Sequence, residues 1–417
     1  MPIRRTANHF TALSVVTAIF FMWGFITSLN DVLIPHLKST FTLNYFEAML
    51  VQFTFFGAYF IMSVPSGMVV SWLGYRLSII TGLVVTGIGA LMFLPAAQML
   101  SYPLFLGAFF VLASGITLLQ VAANPYISLL GPERTASSRL NLAQALNSFG
   151  TTIAPKLGGL LILSTSVLGA AELAKLPAVQ QAAYRLEQAH SVQGPYLGIA
   201  VVLFVLAAIV WVFHLPAIKS DDEGGSTDQH TIWDALAHKR VWFGMLAIFV
   251  YVGAEVSIGS FLINYISLPD IGNMPQSRAA DFVALYWGGA MVGRFVGSAL
   301  LRFIDARKLL SLFAVIAGVL VITTMSTHGM LAVWSVASIG LFNSIMFPNI
   351  FTLGIEKFGP LTGKVSSLLV MAIVGGALIP LAQGAIADRI GVHHAFVLPL
   401  TCYAYIVFYG LKGSRTA

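Results

Sequence analysis

The hydrophobic residues of this chain fall into long, nearly unbroken runs separated by short polar stretches. Because about 20 consecutive apolar residues cross a bilayer as a helix, each run of this length predicts a membrane-spanning helix. The windows are 10–36, 46–71, 76–98, 102–129, 137–166, 195–216, 241–267, 279–303, 308–327, 329–356, 362–387 and 393–411. The pattern therefore predicts an all-α membrane protein with twelve transmembrane helices.

The most polar stretch between windows is Lys219–Arg240, which contains three consecutive acidic residues. It divides the windows into two sets of six. We therefore expect an N-terminal six-helix bundle at 1–216, a linker at 217–240 and a C-terminal six-helix bundle at 241–417. A weaker polar stretch at 170–193 carries charges that suggest a short surface helix.

Composition strengthens the membrane interpretation. Of the 417 residues, 58% are hydrophobic and 9% are charged, with a mean hydropathy of +0.86, whereas a soluble globular domain is about 25% charged. The single cysteine, Cys402, excludes a disulfide framework within the chain. No A-x-A cleavage site follows the run Phe10–Leu37, so we interpret this run as a retained first span.

The 22 lysines and arginines predict the orientation. With a cytoplasmic N-terminus, 15 of them lie on the cytoplasmic side, five lie on the opposite side, and Lys156 and Arg294 fall inside spans. This three-to-one bias favours cytoplasmic positions for both termini and the linker. It also accounts for the net charge of +6 without a nucleic acid or another acidic partner.

The two predicted halves share a sequence pattern. Asn124–Pro155 reads NPYISLLGPERTASSRLNLAQALNSFGTTIAP, and Phe347–Pro380 reads FPNIFTLGIEKFGPLTGKVSSLLVMAIVGGALIP. Each stretch starts at a proline, passes a Gly-Pro and a basic residue, and ends at a proline, at an offset of about 224 residues. This predicts two pseudo-symmetric halves with a substrate site where they meet, near the bilayer midplane. Gln120 and Asn343 are equivalent in this alignment.

Two carboxylates stand several residues inside the ends of predicted spans, Asp31 in the first and Glu255 in the seventh, 224 residues apart. A charge in a span costs roughly 2.5 kcal/mol or more, so it marks a functional site by default. Either carboxylate could carry a proton. With hydroxyl and amide oxygens such as Thr27, Asn30 and Ser257 nearby, either could instead bind sodium, and the sequence leaves both ions open.

Amide and aromatic side chains gather near the middle of alternate spans. A polyhydroxylated solute needs such amides for its hydroxyls and aromatic faces for its ring. Amides facing lipid would be costly, so we expect these to point inward; hydrogen bonds that merely join helices are the alternative. The candidate substrate-binding residues are Trp23, Asn30, Gln120, Asn124, Gln144, Asn147, Tyr251 and Asn343.

Two basic residues inside spans have no assigned role. Arg294 lies near the cytoplasmic end of its span, where it either snorkels to the surface or locks an inner gate. Lys156 follows Pro155 and either neutralises a carboxylate in one conformation or contacts the substrate. Both residues are available as partners for Asp31 and Glu255. The sequence shows no phosphate-binding loop, dinucleotide fingerprint or metal-spaced Cys/His cluster, so we expect no cofactor.

Several motifs resemble a known family. Phe21–Pro35, Ala122–Tyr126 and Asn141–Gly150 are similar to the fucose:proton symporter family of the major facilitator superfamily. The similarity runs through all twelve windows. Within that family, Tyr251–Phe261 looks most like the bacterial glucose/galactose permeases. The resemblance implies the major facilitator fold and sugar symport by alternating access.

The resemblance also bears on the carboxylates. In the fucose branch, an aspartate in the first helix and a glutamate just before the Ala-Ala-Asn-Pro motif serve coupling and sugar binding. The first corresponds to Asp31, but the second position is Gln120 here, and Glu255 stands where that branch has glutamine. This distribution disfavours fucose and implies glucose or galactose as the substrate. Some family members that transport these sugars are coupled to sodium. Lys156 matches no motif of the family, so an N-acetylhexosamine is an alternative substrate.

We therefore predict a monomeric, non-enzymatic sugar importer of the bacterial inner membrane, embedded in the lipid bilayer. Asp31 and Glu255 would couple a proton or sodium ion to hexose entry. Symport of fucose or an N-acetylhexosamine is the nearest alternative. A drug:proton antiporter would need an apolar cavity with few amides, whereas this sequence has many amides in its predicted spans. A membrane-embedded enzyme would need histidines or carboxylates clustered at one membrane face, and the sequence shows no such cluster.

Overall fold

The computed structural model describes residues 3–41, 43, 45–162, 176–213 and 231–415. Helices are the regular structure of the described chain, with short turns between them, and no β-strand occurs in the described residues. The helices are α1 (Ile3–Phe41), α2 (Tyr45–Leu91), α3 (Phe93–Gln98), α4 (Tyr102–Leu129), α5 (Ala136–Ile162), α6 (Ala178–Ser191), α7 (Gln193–Val212), α8 (Ile232–Leu236), α9 (Lys239–Ile266), α10 (Gln276–Leu300), α11 (Ala306–Ser326), α12 (Gly329–Asn343), α13 (Met346–Ile355), α14 (Thr362–Met371), α15 (Gly375–Ile390), α16 (Val392–Ala395) and α17 (Val397–Leu411).

Within the described ranges, eight helical stretches are long and apolar enough to cross a membrane. They are Leu50–Gln98, Tyr102–Leu129, Val179–Val212, Lys239–Ile266, Ala306–Ser326, Gly329–Ile355, Gly359–Ile390 and Val392–Arg415. A shorter apolar segment, Leu13–Leu29, lies within α1. The short helix predicted in 170–193 is present as α6.

The first of these stretches, Leu50–Gln98, is 49 residues long and covers the predicted windows 46–71 and 76–98. Gly74 interrupts it with a φ of 71° and a ψ of 172°. Only glycine adopts such a backbone conformation readily, so the kink between the two windows depends on this residue.

Two predicted windows, 137–166 and 279–303, correspond to α5 and α10, which are not among the eight stretches. Both helices carry polar side chains that lower their hydropathy, among them Gln144 and Asn147 on α5 and Arg294 on α10. Several of these residues belong to the candidate site described below.

The chain groups into two compact units. The first comprises Met1–Ala123 and Phe149–Ala217, and the second comprises Asn124–Ser148 and Ile218–Ala417. Helices α4 and α5 therefore contribute residues to both units. The contacts between Ala136–Ser148 and the C-terminal helices lie inside the second unit.

In the first unit, α2 packs along α7, and the rings of Phe93 and Tyr196 stack with centroids 3.9 Å apart. Gly150 of α5 lies directly against α1, where a Cβ atom would collide with the carbonyl oxygen of Phe21. Small residues allow such close backbone approach between membrane helices.

The second unit repeats this arrangement. Gly375, 225 residues after Gly150, lies against α9, where a Cβ atom would collide with the carbonyl oxygen of Phe249. Gly253 and Gly293 also lie in close helix contacts, whereas Gly288 on α10 has open space around it. The two glycines at 150 and 375 thus follow the offset of the sequence repeat.

We expect Gly375→Ala to lower the free energy of unfolding by about 1–3 kcal/mol, because the added methyl group must push α15 away from α9. Thermal unfolding in detergent measures the effect. Gly288→Ala, on a helix with open space at that position, is the matched control. Equal melting temperatures for the two variants would contradict the close-packing explanation.

Candidate functional site

Glu255 forms the centre of a polar cluster in the second unit. It lies on α9 and is 9% exposed. Its Oε1 lies 3.9 Å from an Nη atom of Arg294 on α10, and Tyr251 stands one helical turn away on α9. Oε1 has no hydrogen-bond partner among the described residues. At this distance Arg294 and Glu255 interact as charges without a hydrogen bond between them.

Arg294 binds three further groups. Its Nε donates to the carbonyl oxygen of Ser344 at 3.0 Å, and Nη1 donates to the carbonyl oxygen of Gln144 at 3.3 Å and to the hydroxyl of Ser148. Its side chain is 11% exposed. The guanidinium therefore connects α9, α5 and the residue after α12, and it is bound inside the unit.

Asn343, at the end of α12, is buried among tyrosines. Its Oδ1 accepts from the hydroxyl of Tyr403 at 2.7 Å, and its Nδ2 donates to the hydroxyl of Tyr286 at 2.7 Å. Its carbonyl oxygen accepts from Tyr251 at 3.1 Å. Tyr286 in turn donates to the carbonyl oxygen of Glu255 at 3.1 Å. Asn343 thus fixes the tyrosines around the carboxylate.

A related contact occurs in the first unit. Gln120 on α4 is buried, and its Nε2 donates to the hydroxyl of Tyr59 on α2 at 2.7 Å. Trp23 on α1 is buried in the same unit. The Oε1 of Gln120 has no partner within the described chain. Each unit therefore pairs one of the two equivalent amides, Gln120 and Asn343, with a tyrosine.

Sequence reasoning missed the tyrosines at 59, 286 and 403. A usable signal was present, because the hydroxyl of a tyrosine in the middle of a span needs a hydrogen-bond partner. Tyr59 and Tyr286 are 227 residues apart, close to the repeat offset. Searching for span tyrosines at that offset would have suggested partners for Gln120 and Asn343.

The other predicted amides lie in the second unit. Asn124 is fully buried, and neither its Oδ1 nor its Nδ2 has a partner among described residues. The Nε2 of Gln144 is likewise buried without a described partner. Asn147 is half-buried, one turn further along α5. Buried amide atoms without partners are costly, so those of Asn124 and Gln144 are suited to receive a polar ligand.

Three predicted site residues cannot be placed by their side chains. Asn30 and Asp31 lie in α1 and Lys156 lies in α5, and the side chains of all three fall outside the described residues. Their assigned roles stay predictions. Among the residues that are described, no three His, Cys, Asp or Glu side chains gather to hold a metal ion.

Next to Arg294, polar side chains join α5 to α10 and α13. The hydroxyl oxygens of Ser138 and Ser298 are 3.3 Å apart, and each also donates to the other's carbonyl oxygen, at 2.8 and 2.9 Å. Asn141 donates to Asn349 Oδ1 at 3.0 Å. The N-terminal half of α5 is therefore hydrogen-bonded to the C-terminal helices.

The sequence profile of the Major Facilitator Superfamily matches residues 15–379. The chain belongs to this superfamily. It is therefore a multi-pass membrane transporter with an all-helical fold, and the family predicted from the sequence is confirmed.

Named relatives of this superfamily transporter cover nearly its whole length. It is 51% identical to the glucose/galactose transporter of Brucella abortus, over 98% of this chain and 95% of that protein. It is 45% identical to the putative glucose/galactose transporter of Helicobacter pylori over 99% of both. With the L-fucose-proton symporter of Escherichia coli it shares 35% identity, over 99% and 95%.

Solved structures agree with this relationship. The crystal structure of the superfamily transporter FucP in the outward conformation matches with a TM-score of 0.91 and 34% sequence identity. The match covers 98% of this chain and all of FucP. A variant of the E. coli fucose:proton symporter gives the same TM-score at 33% identity.

We expect Asn343→Leu to lower the free energy of unfolding by about 1–3 kcal/mol, because the buried hydroxyl of Tyr403 would lose its acceptor. Thermal unfolding of the purified protein measures the change. Asn264→Leu, at an exposed position on α9, is the control. An equal melting temperature in both variants would show that the tyrosine cluster does not depend on Asn343.

Proposed function

We propose that this transporter imports a hexose of the glucose/galactose type in symport with a proton, by alternating access. The observation that carries the proposal is the 51% identity, over nearly the whole chain, to a protein named glucose/galactose transporter. The proteins named L-fucose-proton symporter are less similar, at 35% and 28% identity. The proteins named glucose/galactose transporter are therefore the better guide to the substrate of this chain.

The surroundings of Glu255 favour a proton as the coupling ion. A sodium ion bound to this carboxylate would lie near the guanidinium of Arg294, 3.9 Å from Oε1, and the two positive charges would repel. Arg294 opposes protonation of the carboxylate as well, but a proton binds one carboxylate oxygen covalently and needs no further ligands, whereas a sodium ion needs several oxygen ligands around it. The relatives named as proton symporters support the same choice.

Sugar hydroxyls both donate and accept hydrogen bonds, so they need amide oxygens and nitrogens as partners. Among the predicted substrate-binding residues, the buried amide atoms without described partners are Gln120 Oε1, Asn124 Oδ1 and Nδ2, and Gln144 Nε2. These four atoms are our first candidates for sugar contacts. Asn30, Asn147, Asn343, Trp23 and Tyr251 complete the proposed set, with the aromatic rings as platforms for the sugar ring.

We place the chain in the bacterial inner membrane as a monomer with twelve spans. The lysine and arginine bias supports cytoplasmic termini. Asp31 and Glu255, on the first and seventh spans, are the proposed coupling carboxylates. One coupled charge moving down 100 mV supplies about 2.3 kcal/mol, which corresponds to nearly fifty-fold accumulation.

We expect Asp31→Asn and Glu255→Gln each to abolish sugar accumulation in proteoliposomes under an imposed proton gradient, because neither variant can take up a proton at that position. Exchange of labelled for unlabelled sugar at equal concentrations needs no net proton movement and should be retained. Labelled galactose uptake measures both. Normal accumulation by both variants would refute the carboxylate assignment.

We further expect glucose or galactose, but not L-fucose or N-acetylglucosamine, to raise the melting temperature of the purified protein. Ligand at 100 times its Kd stabilises the folded state by about 2.7 kcal/mol. Each sugar is tested at two pH values, in sodium and in potassium. A shift with L-fucose alone would overturn the substrate, and a shift that requires sodium would overturn the coupling ion.

A further inference from the structure

A basic cavity of about 380 Å³ lies in the second unit, at the end of α9 that is far from Glu255. The residues that line it are His238, Arg240, Glu356, Lys357, Phe358, Leu361 and Arg415. Arg240 stands 15 residues before Glu255 on α9, which corresponds to about 22 Å along the helix axis. None of the lining residues belongs to the proposed sugar or coupling sites.

Positive charge exceeds negative charge in this cavity. Arg240, Lys357 and Arg415 are cationic near pH 7, and the lining includes one carboxylate, that of Glu356. This carboxylate is already bound. Its Oε2 lies 3.2 Å from Nη2 of Arg240 and also accepts from Arg307 on α11. Lys357 and Arg415 form no ion pair with any described residue. A cavity with such a surplus attracts ligands of the opposite charge.

Aromatic and main-chain contacts hold Arg240 in place. Its guanidinium carbon lies 5.5 Å from the centre of the Phe358 ring, a favourable cation–π distance. His238 meets the same ring edge-on, with ring centres 5.3 Å apart. The Nη2 of Arg240 also donates to the carbonyl oxygen of Leu353, whereas its buried Nε has no partner among the described residues. The guanidinium is therefore fixed in position with one donor unused.

The loop after α13 has a backbone that suits an anion. The φ angle is +62° at Lys357, −86° at Phe358 and +49° at Gly359. When right-handed and left-handed conformations alternate in this way, successive N–H groups form a concave site for negative charge. Positive φ is uncommon outside glycine. The backbone at Lys357 thus adds partial positive charge to the side that already carries its ammonium group.

We propose that this cavity binds a phosphate-bearing anion. A phosphate monoester has three acceptor oxygens and a charge of about −1.5 to −2 near pH 7, which matches the two cations without acidic partners, Lys357 and Arg415. Arginine binds phosphate through its forked donors, and lysine binds it as a point charge. Phe358 and Leu361 supply an apolar wall for the organic part of the ligand. The phosphate comes from a soluble ester or from a lipid headgroup, and the charge match favours the ester.

This site is independent of the proposed hexose transport and of the coupling ion. The proposed topology serves only to place the cavity on the cytoplasmic side, where Arg240 and Arg415 belong in the lysine and arginine count. Purified protein exposes both of its faces to an added ligand, so binding can be measured without knowing the orientation. A protein that moves no hexose could still bind the anion, and the reverse also holds.

The test uses the full chain in an uncharged detergent, with glycerol 3-phosphate as the probe and glycerol as its uncharged control, at fixed pH and ionic strength. We expect glycerol 3-phosphate to raise the melting temperature in a saturable way, and glycerol to have no such effect. In Lys357→Gly and in Arg415→Gln, the concentration that gives half of the shift should rise at least several-fold. Glycine keeps the positive φ at position 357, so this variant removes the charge without straining the loop.

Lys308→Gln is the matched control, because it removes an exposed lysine on α11 that does not line the cavity. It should respond to glycerol 3-phosphate as the parent protein does. Phosphate also stabilises proteins by exclusion from their surfaces. Equal responses in the parent protein and all three variants would therefore show a general salt effect and overturn the site.

Nanodiscs of phosphatidylcholine, with and without phosphatidylglycerol, distinguish the two sources of phosphate. If a lipid headgroup fills the cavity, phosphatidylglycerol should stabilise the parent protein more than Lys357→Gly and remove the response to glycerol 3-phosphate. If the ligand is a soluble ester, that response should persist in both lipids. No saturable shift with glycerol 3-phosphate, together with no difference between the two lipids, would overturn the proposal.

Discussion

The cost of leaving a polar group unpaired inside a membrane governs this structure. Hydrocarbon offers no hydrogen-bond partners, so backbone groups pair within helices and polar side chains pair with one another. Glu255 therefore lies beside Arg294, and Asn343 binds three tyrosines. The same requirement draws attention to Asn124 and Gln144, whose buried amide atoms have no partner among the described residues.

Much of the fold could be predicted from the sequence because hydropathy and the repeat are carried by consecutive residues. Most helix bounds fall within a few residues of the windows, although α1 extends further at both ends and α2 joins two windows across Gly74. Glu255 and Arg294 stand out as charges in apolar runs. Their pairing could not be predicted, since Lys156 was also available as a partner and Arg294 was expected to snorkel or to lock an inner gate. The choice depends on which faces of α9 and α10 meet, and this is a property of packing.

The equivalent amides show a second limit of sequence reasoning. Alignment gives Gln120 and Asn343 the same place in the repeat, and each binds a tyrosine. Their surroundings nevertheless differ, because Asn343 is bonded through both side-chain atoms while the Oε1 of Gln120 has no described partner. The tyrosines that make this difference lie 57 to 61 residues away along the chain, beyond the reach of any local pattern.

Helix α5 carries two tight contacts within three residues. The Ser148 hydroxyl accepts from Arg294, and Gly150 lies against the backbone of α1 at Phe21. Gly150 meets α1 backbone to backbone. No change of side-chain rotamer could therefore make room for a larger residue at this position, and one of the two helices would have to move as a whole.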